Sequence, residues 1–176
     1  PFLTDCNTLY PGNRKNAIEH MYCAWENGFT PLTVGCPVII GDGLKGTDDI
    51  EVPVEGGEYV KNAKIGRAIM DADVFISLNH FKGHETVGFG GAIKNIGMGC
   101  GSRAGKMEQH AQGKPEIDES LCRGCKRCMK ECANDGLVYD ETTHKMHIDH
   151  EKCLGCGRCI GACNFDAIHS GDAAAT

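Results

Sequence analysis

Eight of the twelve cysteines in this 176-residue chain repeat one spacing, C-x2-C-x2-C-x3-C. The first copy is Cys122, Cys125, Cys128 and Cys132; the second is Cys153, Cys156, Cys159 and Cys163. Three thiolates within seven residues can wrap one loop around three irons of a [4Fe–4S] cubane. The fourth sits on the short helix that follows, points away from its own loop and reaches the other cluster. The spacing therefore predicts one cluster on Cys122, Cys125, Cys128 and Cys163, and a second on Cys153, Cys156, Cys159 and Cys132. Gly124 and Gly155, each just before the second cysteine, let the backbone pass close to sulfide and donate N–H bonds. Structural zinc sites usually take cysteines in pairs, so three closely spaced plus one is not their pattern. A disulfide scaffold would need an oxidising compartment, whereas repeated ligand spacing implies a reducing cytoplasm. Such arrays usually carry proline after the fourth cysteine. Here Ala133 and Asn164 stand there, which leaves the ligands intact and alters the turn.

A second stretch, "NHFKGHETVGFGGAIKNIGMGCGSRAGKMEQH", crowds glycines, histidines and basic residues together at positions 79–110. It misses the dinucleotide fingerprint, having Ile93 where the third glycine belongs. "GSRAGKM" is one residue short of a phosphate-binding loop and ends on Met107 rather than a magnesium-holding hydroxyl. In an open α/β sheet, ligands bind beyond the carboxyl ends of the strands. Loops after "PFLT", "PVII" and "DVFISL" are expected to gather Asp5, Asn7, Thr8, Tyr10, Asp42, His80, Lys82 and His84 at one edge. Gly88, Gly90 and Gly91 precede the helical "AIKNIGMG", and free N–H groups there, with Lys82 and Lys94, would hold an anion. His80 and His84 are candidate proton donors, with metal ligation as an alternative. The bland reading makes the glycines packing positions and Lys94 a solvated helix residue. Cys23 reads as a small core residue, and Cys100, set among glycines, is the remaining cysteine of interest.

The elements that must position these groups differ between the two parts of the chain. Over residues 1–117, strand-like "PFLTD", "PVIIGDG", "EVPVEG" and "DVFISL" alternate with helical "NRKNAIEHMYCAWENG" and "NAKIGRAIMDA". In the first helix Ala17, Ile18, Met21, Tyr22 and Trp25 share a face, with Asn13 as cap and Gly28 as stop. The expected fold class is α/β, a partly parallel sheet with helices on both faces. Pro1 opens at the edge of a strand, and this domain is expected to be incomplete at its N-terminus. A polar connector, "QGKPEIDES", leads to residues 118–176, expected to form a small α+β ferredoxin-like module built on the repeat and the hairpin "LVYDETTHKMHID".

A net charge of −6 with 24% charged residues argues against a nucleic-acid partner held by phosphates. No apolar run reaches the roughly 20 residues a membrane helix requires. A cytoplasmic protein meeting a redox partner protein, with no membrane insertion, is the expectation.

"SLNHFKGHETVGFGGAIKNIGMGCGSRAGKMEQH", "DCNTLYPGNR" and "DGLKG", together with the cysteine repeat, resemble a family of uncharacterised iron–sulfur centre proteins known as a domain of unknown function. "HFKGHE" and "GGAIKN-GMG" carry the resemblance most specifically. The resemblance implies a ferredoxin-type module joined to an α/β domain, a further N-terminal α/β segment in most members, and no established reaction. Three functions remain open. One is single-electron transfer through two [4Fe–4S] clusters to a partner or to a site in the α/β part. Another is an iron–sulfur-dependent oxidoreductase acting on an anionic substrate or cofactor over "NHFKGHE". The third is a redox-sensing or assembly platform.

Overall fold

The computed structural model describes residues 1–9, 12–84, 88–111 and 114–170. It begins with strand β1 (Leu3–Asp5), followed by helix α1 (Ala17–Glu26). The cap of α1 is Asn16, three residues later than expected; its side chain accepts from the N–H groups of Ile18 and Glu19 at 3.1 Å. Gly28 closes the helix with φ +87°, as a left-handed turn requires. Helix α2 (Pro31–Val34) leads into β2 (Val38–Ile40), which pairs with β1 in parallel, Thr4 opposite Ile39.

This is the one parallel pair among the described residues, and the extended parallel sheet does not form. Two readings fail here. "NAKIGRAIMDA" is not one helix: residues Asn62–Gly66 form β4, antiparallel to β3 (Asp49–Pro53), and only Arg67–Met70 are helical, as α3. The physical reason is pairing, since β3 supplies a complete antiparallel ladder whose gain exceeds a weak helical preference. "DVFISL" is not a strand. It runs without ladder partners, and Val74, Ile76 and Leu78 are each more than three-quarters exposed. A run of apolar residues marks burial only when a neighbouring element exists to cover it.

The same limit explains α1. Its apolar stripe was expected to face the core, yet Ile18, Tyr22 and Trp25 lie at the surface and His20 is the residue turned inward.

The glycine-rich stretch folds as an antiparallel hairpin, β5 (Lys82–His84) with β6 (Gly88–Gly90). It continues into α4 (Ala92–Lys94), a π turn over Asn95–Gly99, and α5 (Arg103–Ala111). The expected connector contains strand β7 (Pro115–Ile117), which pairs with β10 (Ile168–Ser170). Between them lie α6 (Arg127–Glu131), the hairpin of β8 (Leu137–Asp140) with β9 (Lys145–Ile148), and α7 (Arg158–Ala162). In this part of the chain the two short helices pack on each other beside two-stranded sheets. The buried core joins both parts of the chain: Leu9 and Met107 pack with Leu137, Met146, Ile160, Ala167 and Ile168.

Some glycines in the 79–110 stretch are packing positions. A methyl at Gly105 would stand 2.5 Å from the Lys64 carbonyl oxygen of β4. Alanine in an exposed helix interior gains about 1 kcal/mol over glycine, but here the clash reverses the sign. Gly105→Ala should lower stability by about 1–3 kcal/mol, read from the urea midpoint; an unchanged or raised midpoint contradicts this packing.

Candidate functional site

Two sites emerge, one of sulfur and one of cations. At the first, a small void is lined by Cys122, Cys125, Cys128 and Cys163, together with Ile117, Met146, Phe165 and Ile168. Three of these thiols come from the first repeat and one from the second. Because α6 and α7 pack together, Cys163, which follows α7, borders the loop of the first repeat. Backbone N–H groups already aim at sulfur: Gly136 at Cys132 Sγ (3.3 Å), Gly155 at Cys153 Sγ (3.4 Å) and Met146 at Cys122 Sγ (3.5 Å). Gly124 and Gly155 adopt φ +60° and +68°, and a methyl at Gly124 would strike the His144 carbonyl.

Burial, then neighbouring thiols, pushes Cys159 up to about 12. Burial does the same to Cys128, to about 11, with Cys125 and Cys163 adding to it. These thiols are neutral in the bare chain, so any metal that binds must displace their protons. All twelve cysteines are free. Among the described residues, no three of His, Cys, Asp or Glu converge on a single ion site. Thiols spread around a shared void, with N–H donors aimed at sulfur, are a donor set that fits an iron–sulfur cubane.

The second site is a cavity of about 850 Å3 where β1, the 74–78 segment, the β5–β6 hairpin and α4 meet. Of the residues expected there, Asp5, Thr8, Lys82, His84, Gly90 and Lys94 line it. His80, Asn7, Asp42, Gly88 and Gly91 lie outside the lining, and Tyr10 lies outside the described residues. Asn7 and Asp42 instead form a buried pair: the Asn7 backbone N–H and Nδ2 both donate to Asp42 Oδ1, at 2.9 and 2.8 Å. Gly91 is held by packing, since a methyl there would lie 2.6 Å from the Phe89 ring.

The sequence reading missed the other charged groups of this cavity. Arg14, Lys106 and His110 join Lys82 and Lys94, against the single carboxylate of Asp5. Lys106 is buried; its ammonium donates to the Gly101 carbonyl at 2.7 Å and lies 3.4 Å from that of Gly99. Burial lowers its pKa, opposed by nearby Cys6, Asp5 and Asp42. Burial, then the charges of Lys94 and His84, holds the His110 imidazole below its ordinary range. Cationic side chains therefore outnumber the one carboxylate in the lining. Cys6 and Cys100 also border the cavity, with the Cys6 thiol donating to the Cys100 carbonyl at 3.6 Å. Burial raises both thiols, so neither is an activated nucleophile.

Compared with known proteins, residues 1–163 match the family described as "Domain of unknown function (DUF362)". The chain belongs to the DUF362 family. The match runs through both the cation-lined cavity and all eight repeated cysteines, so DUF362 membership covers the two sites together, with no ferredoxin module separately identified. No curated protein and no solved structure matches the chain.

His20 lies beneath the cavity, 3.9 Å from Asp5, with Nδ1 buried and lacking a hydrogen-bond partner among the described residues. Burial lowers its pKa from 6.5, helped by Arg14 and Lys106 and opposed by Asp5. A depressed folded pKa means stability is present above the unfolded value and lost as pH falls through it. His20→Gln should therefore flatten part of the fall in stability below about pH 6.5, checked by urea unfolding across that range. An acid limb identical to the parent's would refute the assignment.

Proposed function

We propose that the chain is a single-electron carrier holding two [4Fe–4S] clusters, one on Cys122, Cys125, Cys128 and Cys163 and the other on Cys153, Cys156, Cys159 and Cys132. The observation that carries this reading is the void bordered by three thiols of one repeat and the fourth of the other, the crossing that the spacing requires. When bound, such clusters accept and release one electron each. The chain's own part is to supply thiolate, to aim N–H groups at sulfur and to wall the first site with apolar side chains together with Arg123 and Arg127. On this reading residues 118–176 form the cluster module and residues 1–117 dock or serve it, in a reducing compartment alongside a redox partner protein.

Anaerobic reconstitution followed by iron and sulfide analysis tests it, with about eight of each expected per chain. Cys128→Ala should lose about half the iron, whereas Cys23→Ser should lose none. Zinc in place of iron, or thiols paired as disulfides, would sink the reading.

The cavity favours a second reading, in which the clusters feed a reductive site on an anionic ligand. Its size lies within the range of roughly 300–1,000 Å3 typical of ligand sites, and its cations outnumber its carboxylate. His84 borders it as a candidate proton donor, and Lys82 and Lys94 would hold the anion. Inorganic phosphate or citrate at saturating concentration should then raise the melting temperature of the parent by several degrees, on the order of the 2–3 kcal/mol expected at 100-fold excess over Kd. Lys82→Met with Lys94→Met should abolish that rise. Equal shifts in parent and variant would remove the anion site.

A further inference from the structure

The two cysteine repeats are not equivalent, and the difference lies at two glycines. Where the first repeat has Lys126 and Lys130, the second has Gly157 and Gly161. Arg103, from the start of α5, occupies the space so vacated. A methyl at Gly157 would stand 2.7 Å from both Arg103 Cγ and Cδ, and one at Gly161 would collide with Arg103 Nη1.

This arginine is 1% exposed. Nη1 donates to the Lys45 carbonyl at 3.3 Å, while Nε and Nη2 have no hydrogen-bond partner among the described residues. Burying charged N–H donors without acceptors is strongly unfavourable, so acceptors are expected once the site is complete. Burial lowers its pKa, opposed first by Asp42 and then by Cys159 and Cys156. The last two belong to the second set.

The corresponding residue of the first repeat behaves differently. Lys126 lies over the Tyr139 ring, 3.5 Å from its centroid, and faces Glu141 at 3.6 Å. It is half exposed and already partnered. Lysines reach the backbone of both sets, Lys145 at the Cys122 carbonyl and Lys15 at that of Cys163 in the first and Lys114 at that of Cys153 in the second, and the exposed Arg123 and Arg127 border the first, so lysines and solvated arginines do not single out the second set. The buried arginine does.

We propose that Arg103 tunes the second cluster, its free Nε–H and Nη2–H donating to sulfur of the set Cys153, Cys156, Cys159 and Cys132. This inference rests on the two-cluster reading. A cation and N–H donors beside sulfur stabilise the added electron and raise the potential. The second set is thereby the more easily reduced of the two, and it is the one next to α5. On reduction one electron enters from an external reductant, no bond forms or breaks, and Arg103 remains a cation throughout.

The test is a dithionite titration of the iron-loaded full chain, followed by electron paramagnetic resonance. The parent should show two separate midpoint potentials. In Arg103→Met the higher should fall toward the lower, and the lower should stay in place. Arg103→Lys, which keeps the charge, should retain most of the separation. In Cys128→Ala, which is expected to keep the second set alone, the surviving signal should be the higher one. If Arg103→Met does not load iron, Arg103→Gln removes the same charge with a smaller change of polarity. Full iron content with both potentials unmoved in the arginine variants would overturn this inference and leave the two-cluster reading standing. A parent chain without iron–sulfur would bring down both.

Discussion

Backbone carbonyls held by lysine are what the irregular parts of this structure depend on. The strands are three to five residues long, so ladders satisfy few peptide groups and the connecting loops need other partners. Lys106 serves Gly101 from within α5, Lys15 serves Cys163 at 2.8 Å, and Lys145 serves Cys122 at 2.6 Å. Lys114 serves His150 at 2.9 Å and also the Cys153 carbonyl. Three of these carbonyls belong to the repeated cysteines. Each ammonium brings several donors to a point where a strand could not run, and all but Lys106 tie a loop to a part of the chain distant in sequence. Lys15 is further fixed by Asp166 at 2.6 Å. A charge-assisted bond of this kind is worth roughly twice a neutral one, which suits a structure with little regular pairing.

That dependence accounts for what could be read from the residues alone. That Cys163 borders the same void as Cys122, Cys125 and Cys128 accords with spacing along a tight loop, and it follows from α6 packing on α7. The strands at Leu3–Asp5 and Val38–Ile40 and the hairpin at 137–148 were legible from local composition. Burial was not. "DVFISL" and the α1 stripe looked like core because apolar pattern reports preference, and only a neighbour converts preference into burial. Asn62–Gly66 was misread for a related reason, since its strand state comes from β3 rather than from its own residues.

The cation-lined cavity was legible only in part. Lys82, His84 and Lys94 announced themselves within one dense stretch, which also holds Lys106 in the segment rejected as a phosphate loop, whereas Arg14 comes from a turn with no local sign of a site. His80 and Asp42 were grouped with them by sequence proximity to strand ends, and tertiary packing separated them. Arg103 sat in a segment inspected for a phosphate loop and rejected. A signal was nevertheless available: aligning the two repeats residue by residue places Gly157 against Lys126 and Gly161 against Lys130, and a lost side chain at both positions indicates that something else fills the space.

The pairing of β7 with β10 carries a consequence for how the protein is made. Pro115–Ile117 finds its partner only at Ile168–Ser170, so everything between forms a ring of chain closed at a single ladder. During synthesis that ring stays open until the ribosome has delivered residue 170 beyond its exit tunnel. The sulfur-bearing loops therefore reach their final arrangement only after both have been synthesised and Ile168–Ser170 is free to pair.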